Sequence, residues 1–275
     1  MNHLENKSYL SVGLAIGMAG ITILAALIFL PLTFVLPKYI GDELFQLIYY
    51  ILVTGTSFFI VYLIRKKKTN EKSFAVSFPH IYIIPFLIMG SLALLFGIIF
   101  PLTELIPVPE FLKASFESMG KQKGIASFFL MVVIAPVLEE LMYRGIILDG
   151  LLRRYSGVTA ILVSSILFGI VHLNPWQFIP AFFVGVFSGW AYYKTRNLIL
   201  TILIHSTINF VGYMERIFWT TFSQYENPVE LYGGFIQYIS IILICILLFV
   251  VCVLCLRKLF NKQNNLIRKK EFENN

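Results

Sequence analysis

Apolar runs long enough to cross a bilayer dominate this chain and fix its fold class before any other feature is considered. A transmembrane helix needs about 20 mostly apolar residues. Eight candidate runs are present, at about 10–36, 44–64, 80–103, 125–149, 157–173, 177–193, 197–213 and 233–256. Backbone N–H and C=O groups in hydrocarbon must be satisfied within their own segment, which makes such runs helices rather than strands. The expected fold is all-α, a polytopic membrane bundle of about eight transmembrane helices. Composition agrees: 58% of residues are hydrophobic and only 13% charged, where soluble domains are about a quarter charged. The first run is far longer than the roughly 7–15-residue apolar region of a cleavable signal, so it reads as a retained span.

The net charge of +7 is not a nucleic-acid signal, because the basic residues cluster at the ends of the apolar runs. The loop 65–73 carries five of them; Arg153 and Arg154, Lys194 and Arg196, and a tail with six from Arg257 onward follow. Every second loop is therefore basic, and the positive-inside rule places both termini in the cytoplasm. The segment 101–124 then lies outside, with room for a short interfacial helix around 109–119. Four tightly joined runs between 125 and 213 are expected to form the core. Residues 1–124 precede it as N-terminal spans and an extracytoplasmic loop, and 214–275 follow as a last span and a basic tail. Cys245, Cys252 and Cys255 all lie in the last run and read as small packed residues. The pairs Gly13/Gly17 and Gly185/Gly189 have the spacing that lets helices approach closely; internal packing is expected.

The chemistry is concentrated in a few polar residues inside these runs. In "IAPVLEELMYRGIIL" (134–148), Glu139, Glu140 and Arg144 interrupt an apolar stretch. Each charge at mid-bilayer costs on the order of 2.5–3.5 kcal/mol on insertion scales, unless it is paired or faces water. Glu140 and Arg144 are spaced i, i+4 and share a helix face, so they can form an ion pair. Glu139 points about 100° away on an ideal helix and has no partner nearby in sequence. A carboxylate in an apolar setting can act as a general base. Pro136, one turn earlier, is expected to bend the helix and open room for water. Two further pairs at i, i+4 follow: Phe168 with His172, and His205 with Asn209. If the three helices converge, they bring together a carboxylate, two imidazoles and a carboxamide. That set allows two chemistries. Glu139, His172 and His205 could hold a divalent metal such as zinc. Alternatively, with no metal, Glu139 and His172 would activate water while His205 and Asn209 stabilise an oxyanion. Phe168 is expected to shape the pocket.

Glu-Glu-x-x-x-Arg at 139–144, Phe-x-x-x-His at 168–172 and His-x-x-x-Asn at 205–209, in this order on successive helices, resemble the three motifs of the CPBP family. That family groups type II CAAX prenyl endopeptidases, bacteriocin-processing proteins and Abi-type proteins. The resemblance covers about residues 125–213, every motif position is filled, and "HLNPWQ" after His172 is similar to bacterial members. It implies an eight-helix intramembrane endopeptidase of a bacterial cytoplasmic membrane, with a cavity open toward the cytoplasm. It also implies roles: Glu139 activates water with help from His172, His205 and Asn209 form the oxyanion site, and Glu140 and Arg144 support the architecture. Members have been read both as metalloproteases and as metal-free glutamate proteases. The implied partner is a peptide or membrane-protein substrate, lipidated or not, within a lipid bilayer.

Two other function classes compete. Intramembrane acids and histidines also mark proton-coupled transporters, although neither an inverted repeat nor matching broken helices are evident. A non-catalytic scaffold or immunity protein is the other; the intact motifs weigh against it. The loop boundaries also carry an internal conflict. They place His205 about 12 Å and His172 about 22 Å from the cytoplasmic helix ends at 1.5 Å per residue, whereas groups of one site must share a depth.

Overall fold

The structure is a computed structural model that describes residues 10–218 and 227–273; His3 lies outside them. Among the described residues every regular element is a helix. The long elements are α1 (Val12–Phe29), α2 (Asp42–Thr69), α3 (Ile81–Glu104), α4 (Glu110–Gly120) and α5 (Ile125–Leu151). α6 (Gly157–Ile170), α7 (Pro175–Thr195), α8 (Leu198–Ile217) and α9 (Phe235–Glu273) follow. Each of the eight expected runs falls on one of these helices, and α4 takes the place of the expected interfacial helix. Among the described residues, six helices are long and apolar enough to cross a membrane: α1 with its 3-10 extension to Phe34, α2, α3, α5, α8 and α9. α6 does not qualify. Its 14 residues span only about 21 Å at 1.5 Å per residue, against a hydrocarbon core of about 30 Å. α7 has 21 residues but is not among the six.

Local chemistry sets the helix starts. Ser11, Ser156, Asn174 and Asn197 each accept a backbone N–H of the first turn through the side-chain oxygen, which satisfies donors that no carbonyl of the helix can reach. Pro175 follows its cap at a position where the missing N–H does no harm. α6 and α7 form an antiparallel hairpin. A Cβ on Gly185 would come within 2.8 Å of the Ser165 Cβ, so this glycine lets the two backbones touch, as the Gly185/Gly189 spacing anticipates. Gly13 and Gly17 behave differently: a Cβ there would meet nothing closer than 4.0 Å, so that pair marks no tight described contact.

Two apolar clusters fill the interior. One gathers Met18, Val61, Met142, Ile146, Phe168 and Leu198; the other gathers Ile83, Leu94, Phe187, Ile204, Leu256 and Phe260. Cys252 is buried and packs near Gly90 on α3, while Cys245 packs near Gly97. Large apolar side chains that remain exposed, such as Ile28 on α1 and Leu247 on α9, fit a lipid-facing surface.

α5 departs most from an ideal helix. Two π-type segments, Phe129–Ile134 and Tyr143–Leu148, bracket a regular stretch, Ala135–Met142. Pro136 has no N–H to continue the ladder, and the wide turn lies immediately before it. The expected distortion at Pro136 is thus a π segment with i→i−5 bonding, of the kind that recurs at functional sites.

Candidate active site

Glu139 and Glu140 lie on the regular stretch of α5, each adjoining a different neighbour, yet both reach the same imidazole. Glu140 Oε1 lies 3.1 Å from His205 Nδ1, and Glu139 Oε2 lies 3.7 Å from His205 Nε2. A carboxylate only accepts, so Nδ1 carries the proton and donates it to Glu140. Nε2 then faces Glu139 across a gap too long for a hydrogen bond and too short for a bridging water. A proton on either group makes that contact attractive. Glu140 Oε1 also lies 3.0 Å from Arg144 Nη1. The contact is an ion pair by distance, but the N–H is off line for a hydrogen bond. The guanidinium instead lies over the Phe168 ring, 4.6 Å from its centroid, a favourable cation–π placement in a dry setting.

Phe168 is the hub of the site. Its ring meets His172 at 5.4 Å and His205 at 5.6 Å edge to face, and Tyr143 at 4.8 Å. It joins the two imidazoles and bears the arginine as well. Both imidazoles touch one ring, so they share one layer, which removes the conflict in depth. α6 begins at Gly157 as read from the sequence, but it ends at Ile170, and His172 sits just beyond it in a turn. There its Nδ1 lies 2.9 Å from the Phe168 carbonyl. A carbonyl accepts only, so Nδ1 donates and Nε2 keeps a free lone pair.

Asn209 has one partner within the bundle. Its Nδ2 donates to the Met131 carbonyl at 2.9 Å, within the first π segment, so one amide hydrogen ties α8 to α5 rather than facing a substrate. A divalent metal at Glu139, His172 and His205 is one of the two chemistries the sequence leaves open. Among the described residues, no group of three or more His, Cys, Asp or Glu side chains is placed to hold one metal ion. His205 Nδ1 and His172 Nδ1 are engaged with Glu140 and a backbone carbonyl, which leaves Nε2 of each ring as the nitrogen that could ligate.

Sequence reasoning missed Tyr50. From α2 its hydroxyl donates to Glu139 Oε1 at 2.7 Å. The available signal was a phenol in the middle of an apolar run, in "LIYYILV" (47–53), and nothing local distinguishes it from the other aromatics. A second polar cluster was also missed. At the end of the bundle where loops 65–75, 152–156 and 195–197 meet, Arg153 donates to both oxygens of Glu71 at 2.8 and 2.7 Å and to Asp149 at 2.6 Å. Arg196 and Tyr192 also reach Asp149, and Arg65 reaches Glu71. A polar recess of about 270 Å³ lies there. The Arg153 hydrogen bonds hold the Glu71 carboxyl below its ordinary range, against a smaller opposing push from burial.

A helical membrane bundle whose centre joins two adjacent glutamates, two histidines and a buried arginine defines an intramembrane protein built around a polar site. Residues 121–211 match the family described as Type II CAAX prenyl endopeptidase Rce1-like. The chain is similar to the membrane-embedded CAAX protease MroQ of Staphylococcus aureus (strain USA300), 30% identical over 201 residues that cover 66% of this chain and 81% of that protein. It is also similar to the UPF0177 protein YxdF of Lactococcus lactis subsp. lactis (strain IL1403), 28% identical over 95 residues, 34% of this chain and 52% of that protein. No solved structure matches. The chain belongs to the Rce1-like family of type II CAAX prenyl endopeptidases, and is an integral membrane protein of a peptidase family.

Proposed function

We propose that this protein is an intramembrane endopeptidase in which Glu139 activates water against a peptide bond near the cytoplasmic face. The observation that carries this reading is the approach of Glu139 and Glu140 to opposite nitrogens of His205. Glu139 Oε2 takes a proton as the water oxygen bonds to the scissile carbonyl carbon. His172 offers its free Nε2 as a second acceptor for that water. His205, fixed through Nδ1 by Glu140, and the remaining amide hydrogen of Asn209 stabilise the oxyanion. The C–N bond then breaks as Glu139 returns the proton to the departing amine, leaving a carboxylic acid and an amine. Arg144, 3.0 Å from Glu140 Oε1, holds Glu140 in place. Residues 125–213 form the catalytic core; the other helices enclose it.

The orientation draws support from the loops. Arg65 from the end of α2, and Arg153 and Arg196 from two loops, meet in one cluster, and this concentration of basic residues supports a cytoplasmic location for that end and for both termini, in a bacterial cytoplasmic membrane. The substrate is a membrane-bound peptide or the end of a membrane protein. The name of the MroQ relative favours a CAAX-type sequence.

The test is cleavage of a peptide panel by the reconstituted protein, with CAAX-type peptides present in prenylated and unmodified forms and products read by mass spectrometry. Wild type is expected to cut, and Glu139→Ala to lose about 10²- to 10⁴-fold, the usual contribution of a general base. Equal cleavage by both proteins sinks the proposal. Cleavage of the unmodified forms alone limits the substrate to peptides without a lipid.

A further inference from the structure

We infer that Tyr50 is a positioning residue for Glu139: its phenol occupies Oε1 and so leaves Oε2 as the oxygen presented to water and to His205. The inference rests on Glu139 being the base. A carboxylate has two equivalent oxygens and turns readily about its last torsion. At this site the two differ, because Oε1 accepts the Tyr50 hydroxyl at 2.7 Å while Oε2 faces His205 Nε2 at 3.7 Å. A hydrogen bond to an ionised acceptor is short and strong, and Glu139 lacks the arginine that Glu140 has. Tyr50 lies on α2, outside the residues 121–211 that carry the family match, so the motifs do not contain it.

The docking of α2 makes this contact a fixed one. Seven residues before Tyr50, and therefore on the same helix face, Glu43 Oε1 accepts the Gly124 N–H at 2.8 Å, at the start of α5. Beyond Tyr50 the helix buries Thr54, Ser57 and Val61 and, one turn before its end, Arg65, which is held by Glu71 and the Ser73 carbonyl. α2 is thus pinned at both ends, with Tyr50 between the pins.

The test compares Tyr50→Phe with wild type, since phenylalanine keeps the ring and removes only the hydroxyl. Assays run below both melting transitions. Tyr50→Phe is expected to lower kcat about 10- to 100-fold, the size of one hydrogen bond to a charged group, with KM within about twofold, because no substrate contact is lost. Tyr50→Phe in a Glu139→Gln background should then add no further loss. Wild-type kcat for Tyr50→Phe overturns the inference, and so does a loss that appears only in KM. Both are distinct from failure of the base itself, which would show as Glu139→Ala cleaving like wild type.

Discussion

At the loop end of the bundle, Arg153 meets Glu71 with two parallel hydrogen bonds and Asp149 with more, whereas in the bundle interior Arg144 sits 3.0 Å from Glu140 without one in line. Both clusters use carboxylates and guanidinium groups at i, i+4 spacing. They differ in exposure: the side chains of Glu71 and Arg196 are 38% and 47% exposed, those of Glu140 and Arg144 0% and 1%. The exposed cluster is richer in hydrogen bonds, although Arg65 Nε and Nη1 have none among the described residues, and it joins three segments of the chain. The buried one is undersupplied: Glu140 Oε2 and the Arg144 Nη groups have no hydrogen bond among the described residues. Groups kept in a dry place with few partners hold one another strongly. One cluster ties chain segments together at the surface; the other joins α5, α6 and α8 in the interior.

The largest expected effect comes from breaking the buried cluster. Arg144→Ala strands Glu140 in the interior with only His205 beside it. Removing one partner of a buried pair costs about 3–5 kcal/mol. The expected outcome is a markedly lower melting temperature in detergent and loss of the folded peak in size exclusion. The double variant Glu140→Leu with Arg144→Met removes both charges, and should recover much of that stability while remaining inactive, because His205 loses the carboxylate that orients it. An Arg144→Ala protein that melts like wild type would show that the two clusters are not built differently.

This contrast also explains what could be read from the sequence. The apolar runs dictate helices through backbone hydrogen bonding alone, so every expected span falls on one. Two, α6 and α7, did not meet the requirements of a full span; α6 is short because it stops at Ile170, just before His172 turns to bond the Phe168 carbonyl. Glu140 with Arg144, Phe168 with His172 and His205 with Asn209 stood out because each pair has one-turn spacing within an apolar run, and Glu139 stood out as a charge there without such a partner. Helical spacing reports neighbours on one helix only. It therefore paired Glu140 with Arg144 and missed His205 Nδ1, which arrives from 65 residues away. Tyr50, 89 residues from Glu139, was invisible for the same reason. The loop arginines were read as orientation signals, and their pairing with Glu71 and Asp149 depends on how loops meet, which no periodicity encodes. Asn209 was given the polar role its type allows, while the π segment before Pro136 offered the Met131 carbonyl it bonds.

A smaller effect is expected from the exposed cluster. Glu71→Gln keeps the shape of the side chain and removes the charge that Arg65 and Arg153 share. Partly exposed pairs contribute about 0.2–1 kcal/mol each, so the melting temperature should fall by a few degrees while cleavage stays within about twofold of wild type. A loss of activity as deep as that of Glu139→Ala, with no change in melting, would mean that the loop cluster acts on the chemistry rather than on the fold.

Acidification probes the same bond by a smaller step. The Arg153 hydrogen bonds hold the Glu71 carboxyl below its ordinary 4.5. A group whose folded value is depressed binds fewer protons when folded than when unfolded, so its contribution is complete above the unfolded value and disappears as pH falls through the folded one. The difference in melting temperature between wild type and Glu71→Gln should therefore be constant from about pH 8 down to about pH 5, and shrink below 4.5 toward zero. Taking the difference between the two proteins cancels the other titrating groups, which both share. A difference that stays constant through that range would mean that Arg153 gains nothing from the charge on Glu71, and that the loop cluster is held by packing alone.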